Sequence, residues 1–207
     1  MPDAGGHPIL FLPGASGDGA FWRGVGEQLP ENWDKRYFDW PGLGEQRHDP
    51  LVRGFADLSR IAEQALAEPS VIVAQSMGGI VALDLVLRHP DMVSHLVLCG
   101  TSGGLDMAAF GAQDWRESFL ADFPDTARWV LTERPDHSCN LHRIAAPTLL
   151  LWGSQDRISP PAVGEHLSRL ILDARLVIVE GGEHDFARRM PEVVAGHIAA
   201  FLNGAVE

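Results

Sequence analysis

The sequence predicts an α/β fold with a doubly wound, mostly parallel β-sheet of about six strands and helices on both faces. Two patterns indicate this fold. Short runs rich in apolar and β-branched residues alternate with amphipathic segments of helical length along the chain. Most of the runs are continuously apolar, which is typical of parallel strands that helices cover on both sides. The 207 residues contain no linker and no internal repeat, so we expect a single domain over residues 1–207.

The individual elements follow from these two patterns in chain order. We predict six strands, most of them continuous apolar runs, over Pro8–Leu12, Lys35–Asp39, Ser70–Ala74, His95–Cys99, Thr148–Trp152 and Arg175–Val179. The segments between and after them predict helices over Gly19–Leu29, Ala56–Ala67, Met77–Arg88, Ala162–Leu172 and Pro191–Leu202. A sheet of this kind binds its ligand outside the carboxyl ends of its strands, so we expect the functional residues in the loops that follow the strands.

Charge and composition argue against several classes of function. The chain has 28 acidic and 16 basic side chains and a net charge of −12 at pH 7, which repels nucleic-acid phosphates and anionic membrane surfaces. No run approaches the roughly 20 apolar residues of a membrane span. The first dozen residues lack the cationic start of a signal peptide, so we expect a cytoplasmic protein. Cys99 and Cys139 are the only cysteines, and we expect two buried or half-buried free thiols.

A serine lies in a short segment of small residues between the third strand and the helix after it. The segment reads Ala74-Gln75-Ser76-Met77-Gly78-Gly79. A nucleophilic serine on a tight strand-to-helix turn has a strained backbone, and the residues two before and two after it must be small. Ala74 and Gly78 meet this requirement, although glycine is usual at both places. The segment predicts a nucleophile elbow at Ser76; the alternative is a glycine-rich turn that happens to contain a serine.

Two later loops offer the partners that such a serine needs. A serine hydroxyl is a weak nucleophile, so a histidine must accept its proton and a carboxylate must orient the imidazole and stabilise its charged form. Asp156 lies in the loop after the fifth predicted strand, and His184 lies in the loop after the sixth. Ser76, Asp156 and His184 are therefore the candidate catalytic residues.

Four motifs together resemble the α/β-hydrolase superfamily over nearly the whole chain. They are Leu12-Pro13-Gly14-Ala15 after the first strand, Asp39-Trp40-Pro41-Gly42-Leu43-Gly44 after the second, the Ser76 elbow, and the paired loops with Asp156 and His184 in the family's order. Within the superfamily the chain is most similar to the compact esterases typified by the pimeloyl-carrier-protein methyl ester esterases, and to related menaquinone-pathway enzymes. The chain departs from the family in two ways: Pro13-Gly14 replaces the usual His-Gly, and the family's first two antiparallel strands have no counterpart.

The resemblance implies an oxyanion hole and a lid. The oxyanion would be bound by the backbone N–H groups of Ala15 and Met77. The lid would be a short insertion at about residues 103–143, with helices around Met107–Ala121 and Asp125–Leu131. Its aromatic residues are suited to roof an apolar acyl pocket, and Trp115, Phe119 and Trp129 are the candidate substrate-binding residues. The alternative is that these rings, together with Phe110 and Phe123, only pack the lid onto the sheet.

The expected activity is hydrolysis of a carboxylic ester of a small or medium acyl group through an acyl-enzyme. The substrate is a small-molecule ester or a carrier-tethered acyl group. The triad needs no cofactor, and the histidines follow no metal-ligand spacing, so we expect no metal site. Thioester hydrolysis, carbon–carbon bond hydrolysis and lyase-type proton chemistry are alternatives within the superfamily. A ligand receptor or signalling module with little turnover is the alternative outside enzymes. Asp39 is expected to support the turn at Gly42 and Gly44, and Asp185 to point away from His184.

Overall fold

The computed structural model describes residues 8–204, and within them six strands form one sheet in which every neighbouring pair is parallel. The strand order is β2-β1-β3-β4-β5-β6. The strands are β1 Ile9–Leu12, β2 Lys35–Tyr37, β3 Ser70–Gln75, β4 Val93–Cys99, β5 Thr148–Gly153 and β6 Ala174–Val179. The predicted fold class is confirmed, and each predicted strand is present with ends shifted by at most two residues.

The helices cover both faces of the sheet. They are α1 Arg23–Gln28, α2 Phe55–Glu63, α3 Met77–Arg88, α4 Arg116–Asp122, α5 Trp129–Thr132, α6 Pro161–Leu170, α7 Phe186–Arg189 and α8 Pro191–Leu202. Short 3-10 helices lie at Gly19–Trp22, Pro90–Met92, Met107–Phe110 and Ser138–Arg143. One buried cluster joins α2, α3 and α6 to one face of the sheet, and a second joins α1, α7 and α8 to the opposite face. Alternate residues of each central strand therefore enter different clusters, as the pleat of a strand requires.

The strand order places the first two candidate loops side by side. The chain runs from β1 outward to β2 and then returns past β1 to β3, so the direction of winding reverses between β1 and β3. In an open α/β sheet the crevice at such a reversal is where ligands bind. The loop with Pro13 and Gly14 follows β1, and the Ser76 elbow follows β3, so both lie at this crevice.

Two predicted helices are interrupted where glycine changes the backbone. The predicted helix Gly19–Leu29 is a 3-10 turn followed by the short α1, which contains Gly24 and Gly26, residues of low helix propensity. The predicted lid helix Met107–Ala121 ends its first turn at Gly111, which has a φ of 70°. The chain then stays extended, because the Gln113 N–H donates to the Arg157 carbonyl at 2.7 Å, and α4 begins only afterwards.

The two cysteines differ in burial. Cys99 is buried at the end of β4, and burial raises the pKa of its thiol. Cys139 is exposed, so the prediction of two buried or half-buried thiols is wrong for this residue. Cys139 lies in the 3-10 helix Ser138–Arg143, whose buried residue is Leu141. The turn thus buries a leucine and leaves its cysteine in solvent.

Candidate active site

The backbone at Ser76 has the strained geometry of a nucleophile elbow. Ser76 has a φ of 51° and is the one non-glycine residue with positive φ between residues 8 and 204. Its N–H donates to the Cys99 carbonyl at 2.9 Å, which ties the end of β3 to β4. A side chain on Gly78 would collide with the Pro13 and Leu12 carbonyl oxygens, and one on Gly79 would collide with Thr101. These contacts explain the small residues after Ser76, because the helix starts in contact with two neighbouring loops.

The three candidate catalytic residues form a continuous hydrogen-bonded chain. Ser76 Oγ lies 3.0 Å from His184 Nε2, and His184 Nδ1 lies 2.8 Å from Asp156 Oδ2. The Asp156 side chain has no exposed surface, whereas 19% of the His184 side chain is exposed. The imidazole therefore connects a buried carboxylate to a hydroxyl at the surface of a cavity. This is the arrangement in which a histidine can take a serine proton and later return it.

Asp156 is held by its own loop as well as by the histidine. Its Oδ1 accepts hydrogen bonds from the N–H groups of Ile158 at 2.9 Å and Ser159 at 2.8 Å. Ser159 Oγ in turn donates to the Thr101 carbonyl at 3.0 Å. Both carboxylate oxygens thus have partners, and only Oδ2 faces the imidazole. Burial of this charge is compensated by three hydrogen bonds, which also fix the carboxylate's orientation.

Gly100 allows the end of β4 to lie close to Asp156 and His184. It has a φ of 53°, and a side chain there would lie about 3.0 Å from Asp156 Oδ2 and within van der Waals range of the His184 ring. The positive φ and the close approach both favour glycine. Sequence reasoning did not single out this residue, although a glycine directly after an apolar strand is the available signal.

Gln75 is a second residue that sequence reasoning missed. The residue is 5% exposed, and its Nε2 donates to the His184 carbonyl at 3.3 Å. Its Oε1 lies where a side chain on Gly14 would be, so it also contacts the loop after β1. Gln75 therefore joins the elbow to the histidine loop and to the candidate oxyanion loop. Its position directly before Ser76 was the available signal, because a strand residue there must reach the crevice.

The loop Pro13–Ala15 lies against the elbow, with Gly14 next to the Ser76 Cβ position. Two indoles fix the carbonyl groups where β1 ends and this loop begins: Trp22 Nε1 donates to the Leu12 carbonyl at 3.0 Å, and Trp40 Nε1 donates to the Pro13 carbonyl at 2.9 Å. Among residues 8–204, the backbone N–H groups of Ala15 and Met77 donate to no other group of the protein. These two amides are therefore available to an oxyanion at Ser76.

Two acidic residues near the site have structural partners. Asp39 does not support the turn at Gly42 and Gly44 as predicted; its Oδ1 accepts from the Gly19 N–H at 2.8 Å. The reason is that the 3-10 helix at Gly19 starts beside β2, so its first amide is the nearer donor. Asp185 bonds Arg189 at 2.8 Å, and this hydrogen bond raises the pKa of the Arg189 guanidinium. Asp185 therefore engages α7 and not the imidazole.

Two cavities meet at the Ser76–His184 pair. The larger has a volume of about 990 Å³ and the smaller about 750 Å³. Ser76, His184, Gln113, Trp115 and Ile158 line both. The larger cavity is rich in charged side chains and is not the apolar pocket that the aromatic lid residues suggested. Apolar side chains from α3 and the lid line the smaller one together with six charged side chains.

The three candidate substrate-binding aromatics occupy different places. Trp115 lines both cavities, and Phe119 lines the larger one; their rings form an edge contact with centroids 5.2 Å apart. Trp129 is not brought to either cavity. It packs edge-on against Phe55 at 5.4 Å, and its buried Nε1 has no hydrogen-bond partner among residues 8–204. The structure thus brings two of the three rings to the site and packs the third against Phe55 of α2.

We expect Trp129→Ala to destabilise the protein and Trp115→Ala to change its selectivity. Loss of the Trp129 ring removes the contact with Phe55, at a cost on the order of 3 kcal/mol, or roughly 6–12 °C in melting temperature. Rates on all esters should fall in proportion to the folded fraction. Trp115→Ala should alter the ratio of rates on short and medium-chain esters. A changed ratio in Trp129→Ala with an unchanged melting temperature would contradict this assignment.

Two other kinds of feature are absent from residues 8–204. No helix within residues 8–204 is long and apolar enough to cross a membrane. Over the same range, no group of three or more histidine, cysteine, aspartate or glutamate side chains is arranged to hold a metal ion.

Comparison with known proteins gives a family and several relatives. Residues 9–197 match the sequence model of the alpha/beta hydrolase family. The pimeloyl-[acyl-carrier protein] methyl ester esterase of Neisseria meningitidis serogroup B is 28% identical, with 100% of this chain and 96% of that protein covered. The alignment is 253 positions long against 207 residues here, so several tens of its positions have no counterpart in this chain.

Solved structures agree on the fold. A hydrolase from Pseudomonas aeruginosa PA01 superimposes with a TM-score of 0.78 at 23% identity, covering 95% of this chain and 90% of that one. A thermophilic esterase from Thermogutta terrifontis gives a TM-score of 0.77 at 22% identity, covering 97% and 90%. Identities this low support a shared architecture and leave the chemistry to the site itself.

Proposed function

Because the chain belongs to the alpha/beta hydrolase family, we propose that it is a serine hydrolase that cleaves carboxylic esters of small or medium acyl groups. The observation that carries the proposal is the hydrogen-bonded chain from Ser76 through His184 to Asp156, at 3.0 and 2.8 Å. The pimeloyl-carrier methyl ester esterase relatives support an ester as substrate, including one whose acyl group is tethered to a carrier.

The geometry supports the following roles. Ser76 Oγ attacks the ester carbonyl while His184 Nε2 takes its proton, and Asp156 keeps the imidazole's Nδ1 protonated and oriented. The free amides of Ala15 and Met77 stabilise the tetrahedral oxyanion. His184 then gives its proton to the departing alkoxide and leaves an acyl group on Ser76. Water attacks this acyl-enzyme with His184 as base, which releases the acid and restores the serine.

The size of the substrate and the compartment are proposed from the cavity and the cysteines. The described lid segment is short, and the larger cavity at Ser76 is open, which suits a modest ester or a tethered acyl group better than a long lipid. Both cysteines are free, which favours a reducing compartment, and we propose the cytoplasm.

Covalent labelling together with an ester panel tests the proposal. The purified chain should hydrolyse p-nitrophenyl acetate or butyrate, and a fluorophosphonate should modify the peptide that contains Ser76. Modification of Ser76 with negligible turnover of every ester and thioester in the panel would instead favour a ligand receptor. Hydrolysis without modification of Ser76 would refute the assigned nucleophile.

A further inference from the structure

Gln75 is a buried polar residue that the proposed mechanism does not use. It is the last residue of β3, and it lines the larger cavity at Ser76. The four residues before it, 71–74, are apolar and fully buried. A buried carboxamide lowers stability unless its polar atoms find partners, so the partners of Gln75 indicate what it does at this place.

The contacts of the Gln75 side chain fix the direction of its amide. Nε2 lies 3.3 Å from the His184 carbonyl oxygen, and a carbonyl can only accept, so the NH₂ group must face it. Oε1 then faces the loop after β1, where a side chain on Gly14 would overlap with it. Gly14 is not among the glycines with positive φ, so this position needs glycine for space and not for backbone conformation. Gln75 and Gly14 therefore form a complementary contact between β3 and the candidate oxyanion loop.

Within the described chain, two hydrogen bonds join the histidine loop, residues 180–185, to the Ser76 elbow. One links the side chains of His184 and Ser76 at 3.0 Å, and the other links Gln75 Nε2 to the His184 carbonyl. No other group of residues 8–204 donates to this carbonyl. The histidine loop follows β6, and both β4 and β5 lie between β6 and β3 in the sheet. The bond from Gln75 is thus the contact by which the elbow holds the backbone of His184.

The first of these two bonds cannot persist through the reaction. In the acyl-enzyme, Ser76 Oγ is an ester oxygen that carries no hydrogen, so it no longer donates to the imidazole. His184 Nε2 must instead accept a proton from the attacking water. During this half of the cycle Asp156 still holds Nδ1 at 2.8 Å, and the bond from Gln75 is the one that remains between the elbow and the histidine loop. The need for Gln75 is therefore greatest during deacylation.

We propose that Gln75 is a positioning residue that keeps His184 close to Ser76 while the serine is acylated. It acts on the attack of water: the water gives a proton to His184 Nε2, and its oxygen bonds to the acyl carbon. The bond from that carbon to Ser76 Oγ then breaks, and Oγ regains the proton from His184. This inference rests on the proposed function, which supplies the acyl-enzyme, and Gln75 acts through His184 without touching the substrate.

A carbamate allows the two half-reactions to be measured separately. p-Nitrophenyl N,N-dimethylcarbamate transfers its carbamoyl group to a nucleophilic serine and releases p-nitrophenol, and the carbamoyl-serine is hydrolysed slowly enough to be isolated. Intact-protein mass spectrometry then follows the loss of the carbamoyl group after the reagent is removed. Gln75→Met keeps the length of the side chain and removes the donor. We expect it to slow decarbamoylation by roughly 5- to 10-fold, as for the loss of one hydrogen bond, and carbamoylation by less than about 2-fold.

A second variant and a matched control complete this experiment. Gln75→Leu also removes the donor and should behave like Gln75→Met. Gln64 is exposed at the end of α2 and lines neither cavity, so Gln64→Met should leave both rate constants at the wild-type values. A residue that only stabilises the fold would lower the melting temperature and slow both half-reactions by the same factor. Equal slowing of the two half-reactions, or unchanged decarbamoylation in both Gln75 variants, overturns the proposal.

Hydrogen exchange tests the role of Gln75 without turnover and so separates it from the proposed function. Ser76→Ala removes one of the two bonds to the histidine loop, and Gln75→Met removes the other. Amide exchange in residues 180–185 should therefore be about 5-fold or more faster in the double variant than in Ser76→Ala alone. If this difference is found but neither an ester nor the carbamate reacts, the proposed esterase function fails and Gln75 still positions His184. If the double variant exchanges at the same rate as Ser76→Ala, Gln75 does not hold the loop and the proposal fails, whatever the ester rates.

Discussion

Ser76→Ala is expected to lower ester turnover by about 10³- to 10⁶-fold while leaving the protein folded. The hydroxyl is the group that attacks the carbonyl, and the residues of a hydrogen-bonded triad act as a unit, so removal of the nucleophile abolishes the acyl-enzyme route. The alanine methyl still fits the positive-φ turn, because Ser76 already carries a Cβ there. The measurement is kcat/KM on p-nitrophenyl acetate, with melting temperature as the check on folding.

A matched control is available on the lid. Ser118 lines the same cavity as Ser76, but its hydroxyl donates to the Trp115 carbonyl at 3.0 Å and lies outside the triad. Ser118→Ala should therefore keep most of the wild-type rate. Retention of the full rate by Ser76→Ala would remove this residue from the mechanism.

Asp156→Asn should cost about 10⁴-fold in turnover with little change in stability. The carboxylate accepts hydrogen bonds on both oxygens, whereas an asparagine amide has only one acceptor. The side-chain oxygen of the asparagine will keep accepting from the Ile158 and Ser159 N–H groups. In the flipped orientation of the amide, its NH₂ group would face these two N–H donors and no hydrogen bond could form. The NH₂ group then faces His184 Nδ1 and selects the imidazole tautomer that carries its hydrogen on Nε2. That tautomer donates to Ser76 and cannot accept its proton.

Two results are expected for Asp156→Asn. Asp156→Asn should fold normally and react slowly with fluorophosphonate, because the serine is no longer activated. Asp122→Asn changes an exposed carboxyl in the same cavity and should leave both rates near wild type. If Asp156→Asn retains more than about a tenth of the wild-type rate, the carboxylate does not act on the imidazole as the 2.8 Å contact suggests.

The sequence was informative where function depends on local backbone. The Ser76 elbow needs small neighbours and a strand before it, and both features can be read from adjacent residues. Asp156 and His184 were found because each follows a strand, and parallel strands bring their carboxyl ends to one edge. The alternation of strand and helix predicted the parallel pairing, which brings the three loops to one edge of the sheet; the strand order comes from the structure.

The sequence was less informative where contacts join distant segments. The hydrogen bond from Trp40 to the Pro13 carbonyl joins residues 27 positions apart, and no local sequence pattern predicts it. The role of Gln75 depends on a bond to a residue 109 positions away. The placement of Trp129 was equally inaccessible, because helical spacing does not tell whether a ring faces a cavity or Phe55. The lid helix was predicted too long, since the bond between Gln113 and Arg157 could not be foreseen.

The position of β6 has a consequence for how the protein tolerates heat. β3 and β5, which precede Ser76 and Asp156, are buried along their whole length, whereas β6 is an edge strand with most of its residues only half-buried. His184 follows β6, the least protected of these three strands. Local opening of an edge requires less free energy than global unfolding, so the base should be displaced first. We expect activity to disappear on heating before the far-ultraviolet circular dichroism changes, and to return on cooling from that interval. Coincident loss of both signals would show that the edge melts together with the rest of the sheet.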